Sequence, residues 1–166
     1  MPKKISRDIP LSEITLRRYE KPYKMPKREA TRKLCLSLGL LQPGDSRDVI
    51  VDVLQTIVDT SKRKKMITSE EVQKKVIASR KKNRLGVNGV AASNIRRQMK
   101  RLKDLQLIEK IKNEYRITEY ENLSTVFEER IKKYYLPQIL SRVKDYCKSV
   151  KWYMDQEKIP SFYKKL

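Results

Sequence analysis

The chain has 166 residues, 39% of them hydrophobic, which is enough for one domain with extensions or one domain plus a small second element. Lysine and arginine outnumber the acids 40 to 20, and the net charge of +20 invites a polyanionic partner: nucleic acid first, an acidic membrane surface or acidic protein second. With no histidine, and only Cys35 and Cys147 as thiols, a Cys/His zinc site is excluded.

The missing histidine also removes the commonest general base. The glycines, Gly39, Gly44, Gly86 and Gly89, are too scattered for a phosphate loop. Asp48 and Asp52 lie four apart and can share a helix face, with Asp59 almost two further turns along; a metal-binding nuclease can use such carboxylates, but acids on the wet side of an amphipathic helix are commoner. No catalytic residue, metal, cofactor or small-molecule ligand is therefore expected. The first ten residues lack the apolar core of a secretory signal, and no run is long enough to span a membrane. The expected location is cytoplasmic, and nucleoid-associated if the polyanion is DNA.

Residues 1–26 mix four prolines with Lys3, Lys4, Arg7, Arg17, Arg18, Lys21 and Lys24. They read as an extended basic arm with a short helix near residues 11–19, either a solvated tail or an arm that tracks DNA backbone or minor groove. Residues 27–44 read as an N-terminal helix and linker. Pro26 suits the first helical position, Ala30, Leu34, Leu38 and Leu41 form the stripe, and Gly39 can end the helix left-handed. Asp45 or Ser46 then caps a helix whose buried face is Val49, Ile50, Val53, Leu54, Ile57 and Val58. Asp48, Asp52 and Asp59 fall off that face. A basic turn at residues 62–65 leads to a short strand at Met66 and Ile67.

Thr68 and Glu71 have the spacing of a capping box, and the helix they open turns Val72, Val76 and Ile77 inward. Residues 79–88 read as a polar, basic connection. The next helix starts near residues 89–93 with Ile95, Met99, Leu102 and Leu105 inside. Residues 107–111 and 114–117 read as strands joined by a turn at Lys112 and Asn113, since asparagine tolerates positive φ. Helix dominates after Glu119, with Ser124 as one start, a kink or restart forced at Pro137, and an end at Pro160. Leu136, Leu140, Val143, Cys147, Val150 and Met154 alternate by four and three, a short heptad-like seam widened by Ile139, Tyr146 and Tyr153. Both cysteines sit among apolar residues and read as buried thiols.

Charge is uneven along the chain, with about +7 in residues 1–44, +10 in 45–118 and +3 in 119–166. Between Lys81 and Lys103 there are eight basic residues and no acid. With the Ile95 stripe inward, the outer face of that helix carries Asn94, Arg97, Lys100 and Arg101, with Arg96 and Lys103 at its flanks. An acid-free basic face points to phosphate rather than to mere solvation.

The stretch from Gly89 resembles the recognition helix and first wing strand of winged helix-turn-helix transcription regulators. Ser93 and Asn94 precede apolar Ile95, Arg101 precedes Leu102, Leu107 and Ile108 close the helix, and residues 109–116 match the wing. The resemblance covers about residues 46–118. It implies a mainly α fold with a small β-hairpin wing: a winged helix-turn-helix core at 45–118, the N-terminal helix before it, and a long C-terminal helical extension at 119–166. One departure is Gln106, where the family has glycine in a left-handed turn; a side chain there costs about 1 kcal/mol. The connection before Gly89 is also longer than a tight helix-turn-helix uses.

Double-stranded DNA is the implied partner, bound by a transcription regulator or nucleoid-associated protein. The alternative is an adaptor for protein or RNA in replication, transcription or ribosome machinery. Arg97 has the length and fork for a guanine edge. Arg96, Lys100, Arg101, Lys81, Lys82 and Arg84 are assigned to phosphates. Ser93 and Asn94 either reach base edges or cap the helix, and Lys112 and Asn113 touch phosphate or minor groove. Tyr115 reads as a strand residue packed on the sheet. The C-terminal helix either packs back on Leu34 and Leu38 or pairs with a second chain; the expected state is a homodimer. In outline that arrangement resembles small archaeal chromosomal proteins joining a winged helix to a dimerising helix.

Overall fold

Helical apolar spacing sets most of the architecture, and a computed structural model describes it for residues 8–157. In chain order the elements are α1 (Lys27–Ser37), α2 (Val49–Lys62), β1 (Ile67–Thr68), α3 (Ser69–Lys82), α4 (Ala92–Asp104), β2 (Ile108–Ile111) and β3 (Glu114–Ile117). A 3-10 turn (Thr118–Tyr120), α5 (Leu123–Val126), a π-helical segment (Phe127–Tyr135) and α6 (Leu136–Glu157) follow. The protein is thus mainly helical with one small antiparallel sheet of three strands in the order β1-β3-β2. The expectations for Lys3, Lys4, Arg7 and Pro160 lie outside the described residues. Among the described residues no helix is long and apolar enough to cross a membrane.

α2 is the central helix. Val49, Ile50, Val53, Leu54 and Ile57 are buried on it, and α1, α3, α4 and β3 all pack against it. α3 opens with the capping box: the Glu71 amide donates to Thr68 Oγ1 at 3.3 Å, and the Thr68 amide donates to Glu71 Oε2 at 3.0 Å. α4 buries Ile95, Met99 and Leu102. One apolar core runs from Cys35 of α1 to Ile131 of the π-helical segment. Burial pushes the Cys35 thiol up to about 12. Within the sheet Ile108 pairs with Ile117 and Ile67 with Tyr115. The Ile117 amide donates to the buried Ser61 hydroxyl at the end of α2.

Several sequence expectations give way to tertiary contacts. Residues 11–19 form no helix but run extended across α1. Arg17 pins them, because its amide donates to Ser37 O at 2.8 Å and its guanidinium donates to Leu36 O at 2.8 Å and Leu41 O at 3.1 Å. The arm is therefore not a solvated tail over this stretch. Of the expected stripe, Leu38 and Leu41 are buried and Leu34 packs half-buried against the core, whereas Ala30 is exposed; within α1 the fully buried residues are Cys35 and Leu36. Gly39 takes φ +68°, and a Cβ there would meet Thr15 Cβ of the arm at 2.4 Å. α2 starts at Val49 with Asp48, not Asp45 or Ser46, at its cap; no side chain caps it, since Asp45 accepts from the Arg47 amide and the Asp48 carboxylate is taken by Arg28 and Arg80. α3 extends to Lys82, into the stretch expected as a connection.

Gln106 adopts φ +63°, so α4 ends in the left-handed turn that glycine would make without strain. Two bonds offset the cost: the Leu107 amide donates to Leu102 O at 3.1 Å, and the Thr118 hydroxyl, from 12 residues on, donates to Gln106 O at 2.9 Å. In the hairpin turn the positive φ falls on Lys112, not Asn113. Asn122, rather than Ser124, caps α5 by accepting from the Thr125 amide. Pro137 sits just inside α6, directly after the π turns. It cannot donate the backbone bond of an α-helix interior, and the chain restarts its α-helix there. α6 has no buried residue and does not return to Leu34 and Leu38. Cys147 is consequently exposed, not buried.

The largest difference concerns the acids of α2. Asp52 is 4% exposed and lies inside the fold, not on its wet side. Arg80 of α3, 5% exposed, places Nη1 at 2.5 Å from Asp52 Oδ2 and 3.2 Å from Asp48 Oδ1. From the other side Arg28 of α1 places Nε 3.0 Å from Asp52 Oδ1 and Nη2 3.0 Å from Asp48 Oδ2. Arg80 Nε also donates to Gly86 O at 2.6 Å, which folds the loop before α4 back onto the cluster. Asp59 pairs separately with Lys27. Burial by itself would raise the Asp48 carboxyl, but Arg28 and Arg80 outweigh it and hold it below its ordinary value.

Two outcomes follow from this cluster. Arg80→Ala leaves Asp52 charged and half-partnered inside the fold, so urea unfolding should show a loss of about 3–5 kcal/mol. The Asp48 contribution carries a definite pH sign. Its folded value is depressed, so its stabilisation is complete above the unfolded value and is lost as pH falls through the folded one. Melting temperature should drop on acidification through that range, and Asp48→Asn should flatten that part of the profile.

Candidate nucleic-acid interface

The loop before α4 turns at Gly89, whose φ of +84° favours glycine. Asn94 Nδ2 donates to Gly89 O at 2.6 Å, Gln98 Nε2 donates to Asn94 Oδ1 at 3.0 Å, and Arg101 Nη1 donates to Gln98 Oε1 at 2.9 Å. This chain of bonds runs along one flank of α4 and holds it against the loop. On the α3 side Gln73 Nε2 donates to Val90 O at 2.9 Å. Ala91, not Ser93 or Asn94, is the N-cap residue, and it makes no side-chain cap bond.

These bonds redistribute the expected outer face. Asn94 and Arg101 are half-buried on the flank, turned toward a cleft of about 520 Å³ between α4 and the start of α2. Ser93, Arg97 and Lys100 form the outermost strip, with Arg96 and Lys103 exposed on the other flank. Arg96 Nη2 lies 3.3 Å from Glu70 Oε1 at the start of α3, and Lys100 lies 3.1 Å from Asp104, the acid at the end of the strip. The Glu70 carboxyl sits below its ordinary value, first through its own backbone amide and then through Arg96 and the Ser69 hydroxyl. Both ion pairs are exposed, where such pairs contribute little and exchange readily for another anion. Arg97 and Lys103 make no ion pair or side-chain hydrogen bond among the described residues.

The remaining predicted positions divide into two groups. Lys112 and Asn113 are exposed at the β2–β3 turn. Glu114 beside them pairs with Thr68, which puts the hairpin tip at the end of α3 that carries Glu70, the partner of Arg96 on α4. Lys81, Lys82 and Arg84 are exposed at the other end of α3. At 1.5 Å rise per residue Lys81 and Lys82 lie about 16–18 Å from Glu70 along the helix. Tyr115 is half-buried on the sheet, with Lys110 Nζ 5.6 Å from its ring centre.

Two features had no sequence signal. Arg47, isolated in the loop before α2, is exposed and lines the same cleft as Arg97 and Arg101. Only tertiary proximity joins it to them. The arm also borders α4: a groove of about 780 Å³ separates Leu11 and Ile14 from Lys100, Arg101 and Asp104. Tyr135 fixes that segment, its hydroxyl donating to Glu13 O at 2.8 Å and accepting from the Glu13 amide at 3.2 Å. Asp48 and Asp52 are occupied by arginines, and no group of three or more side chains suited to a metal occurs among the described residues.

Comparison with protein-family models, with curated proteins and with solved structures finds no match to this chain. The geometry of α4 itself is open to test. Asn94→Ala removes the tie to Gly89 and the acceptor for Gln98, and thermal unfolding should show a loss of about 0.5–1.5 kcal/mol. Faster amide exchange should be confined to the loop before α4.

Proposed function

We propose that the protein binds double-stranded DNA by laying α4 in the major groove, with α2, α3 and α4 acting as a helix-turn-helix and the β2–β3 hairpin as its wing. The observation that carries this reading is the exposed strip of α4. Ser93, Arg97 and Lys100, flanked by Arg96 and Lys103, stand on a helix fixed from beneath by Ile95, Met99 and Leu102. An unpartnered arginine fork on such a strip suits the O6 and N7 of guanine. Arg96, Lys100 and Lys103 suit phosphates, as does Lys112 at the hairpin tip. Arg47 joins Arg97 from the α2 side and adds a phosphate contact that the α4 sequence does not contain. Lys81, Lys82 and Arg84 lie more than a major-groove width of about 12 Å away along α3 and would reach a different stretch of backbone.

The overall charge supports the same partner, since each neutralised phosphate releases counterions. Neutralisation of phosphates by Arg47, Arg96, Lys100, Lys103 and Lys112 together corresponds to a slope of roughly −4.5 in log affinity against log salt.

Titration of duplex DNA at several salt concentrations, with random and genomic fragments compared, tests this. Tight binding with a slope near that value is expected. A preference among fragments marks a regulator, and uniform affinity marks a packaging protein. Arg97→Ala should cost about 1–3 kcal/mol on a preferred site. Lys100→Ala should weaken all sequences alike and make the slope shallower by about 1. No binding at low salt, or tighter binding to single-stranded RNA than to duplex DNA, overturns the reading.

A further inference from the structure

α6 is 22 residues long, about 33 Å, yet it buries none of them. Leu140, Val143, Val150 and Met154 are each more than half exposed, and so are Tyr146 and Tyr153 beside them. These side chains offer on the order of 800 Å² of surface, about what each partner buries in a standard protein interface. Spacings of three and four put Leu140, Cys147 and Met154 at one core position of a heptad and Val143 and Val150 at the other. The helix is anchored at its start, where Val126 and Ile131 are buried, so it need not be ordered by whatever covers it.

We infer that this face is covered by the same face of a second copy, in a parallel two-helix pair. Charge argues for a second copy. Within Leu136–Glu157, Arg142, Lys144, Lys148 and Lys151 stand against Asp145, Asp155 and Glu157, a net +1 in a chain of +20. α6 is thus an apolar segment along which two copies can approach with little repulsion, and an acidic partner would find little to attract it there.

Orientation follows from the flanks of the seam. Ile139, Tyr146 and Tyr153 line one side, and Lys144 and Lys151 the other. A parallel pair sets Tyr146 against the partner's Lys151, where the ammonium can lie over the ring. The chain already makes that contact at Lys33 over Tyr19, 5.0 Å, and Lys110 over Tyr115, 5.6 Å. An antiparallel pair sets lysine against lysine. Leucine and β-branched valine as arranged here favour more than two strands in long coiled coils, but each further copy adds another +20, and that limits the assembly to two.

The test uses the full chain without DNA, so its result is independent of the DNA reading. Sedimentation equilibrium at micromolar concentration should give twice the 19.7 kDa of one chain. Association should tighten as salt rises, because salt screens the repulsion, opposite in sign to DNA binding. A short bis-maleimide should link Cys147 to its counterpart, as the only exposed thiol among the described residues, and Cys147→Ser should abolish the link. Val143→Glu with Val150→Glu should give single chains whose melting temperature matches that of wild-type protein diluted to monomer. A monomeric wild type, a mass of three or four chains, or a dimer indifferent to the two glutamates overturns the proposal. A dimer that the short linker fails to join overturns the parallel arrangement.

Discussion

Asp52 inside the fold is the constraint from which the rest of the arrangement follows. A carboxylate removed from water is costly unless it is paired and hydrogen-bonded. Here the demand is met from two sides at once, by Arg28 of α1 and Arg80 of α3. Neither helix can shift on α2 without uncovering the charge. Arg80 extends the constraint through its bond to Gly86, so the loop that delivers α4 is tied to the same point. Apolar contacts set how much is buried, and they tolerate sliding. The ion cluster sets which helix lies where, and it does not. Charged, bidentate geometry of this kind specifies an arrangement more surely than it stabilises one.

That fixed frame leaves α4 with a divided surface. Its apolar side is consumed by the core, and the Asn94–Gln98–Arg101 chain binds one flank to the loop. What remains free is a strip defined by exclusion. Arg97 makes no ion pair among the described residues, although Asp45 lines the same cleft toward α2 together with Gln98, Arg101 and Arg47. Arg96, by contrast, is held by Glu70. The arm sets the other border of the strip. Arg17 and Tyr135 hold it beside the last turn of α4, so the groove along Lys100 and Asp104 is bounded rather than open.

Local rules made much of this legible in the sequence. The Thr68–Glu71 capping box, the Ile95 stripe and the hairpin each depend on residues within a few positions of one another, and each is found where its spacing put it. The misreadings share one cause. Asp52 reads as solvent-facing because its partners stand 24 and 28 residues away. Residues 11–19 carry a helix-like pattern, but Arg17 finds the carbonyls of Leu36 and Leu41 and the chain stays extended. Gln106 reads as an obstacle to a left-handed turn, yet Thr118 and Leu107 supply the bonds that hold it there. In each case a long-range polar bond outweighed a local preference of about 1 kcal/mol.

The C-terminal helix obeys the opposite logic. Its seam is legible at once, yet the fold gives it nothing to bury against, because among the described residues α6 packs chiefly on the π-helical segment before it. Cys147 reads as buried from its apolar neighbours, yet those neighbours lie in water within one chain. A pattern specifies a face, and topology decides whether that face meets the same core. The charge follows the same division. Residues 45–118 carry about +10, and α6 carries +1. A strongly basic surface suits a polyanion and resists its own copy, whereas a nearly neutral apolar helix tolerates that copy. Separating the two along the chain lets one molecule present both surfaces without either charge pattern defeating the other.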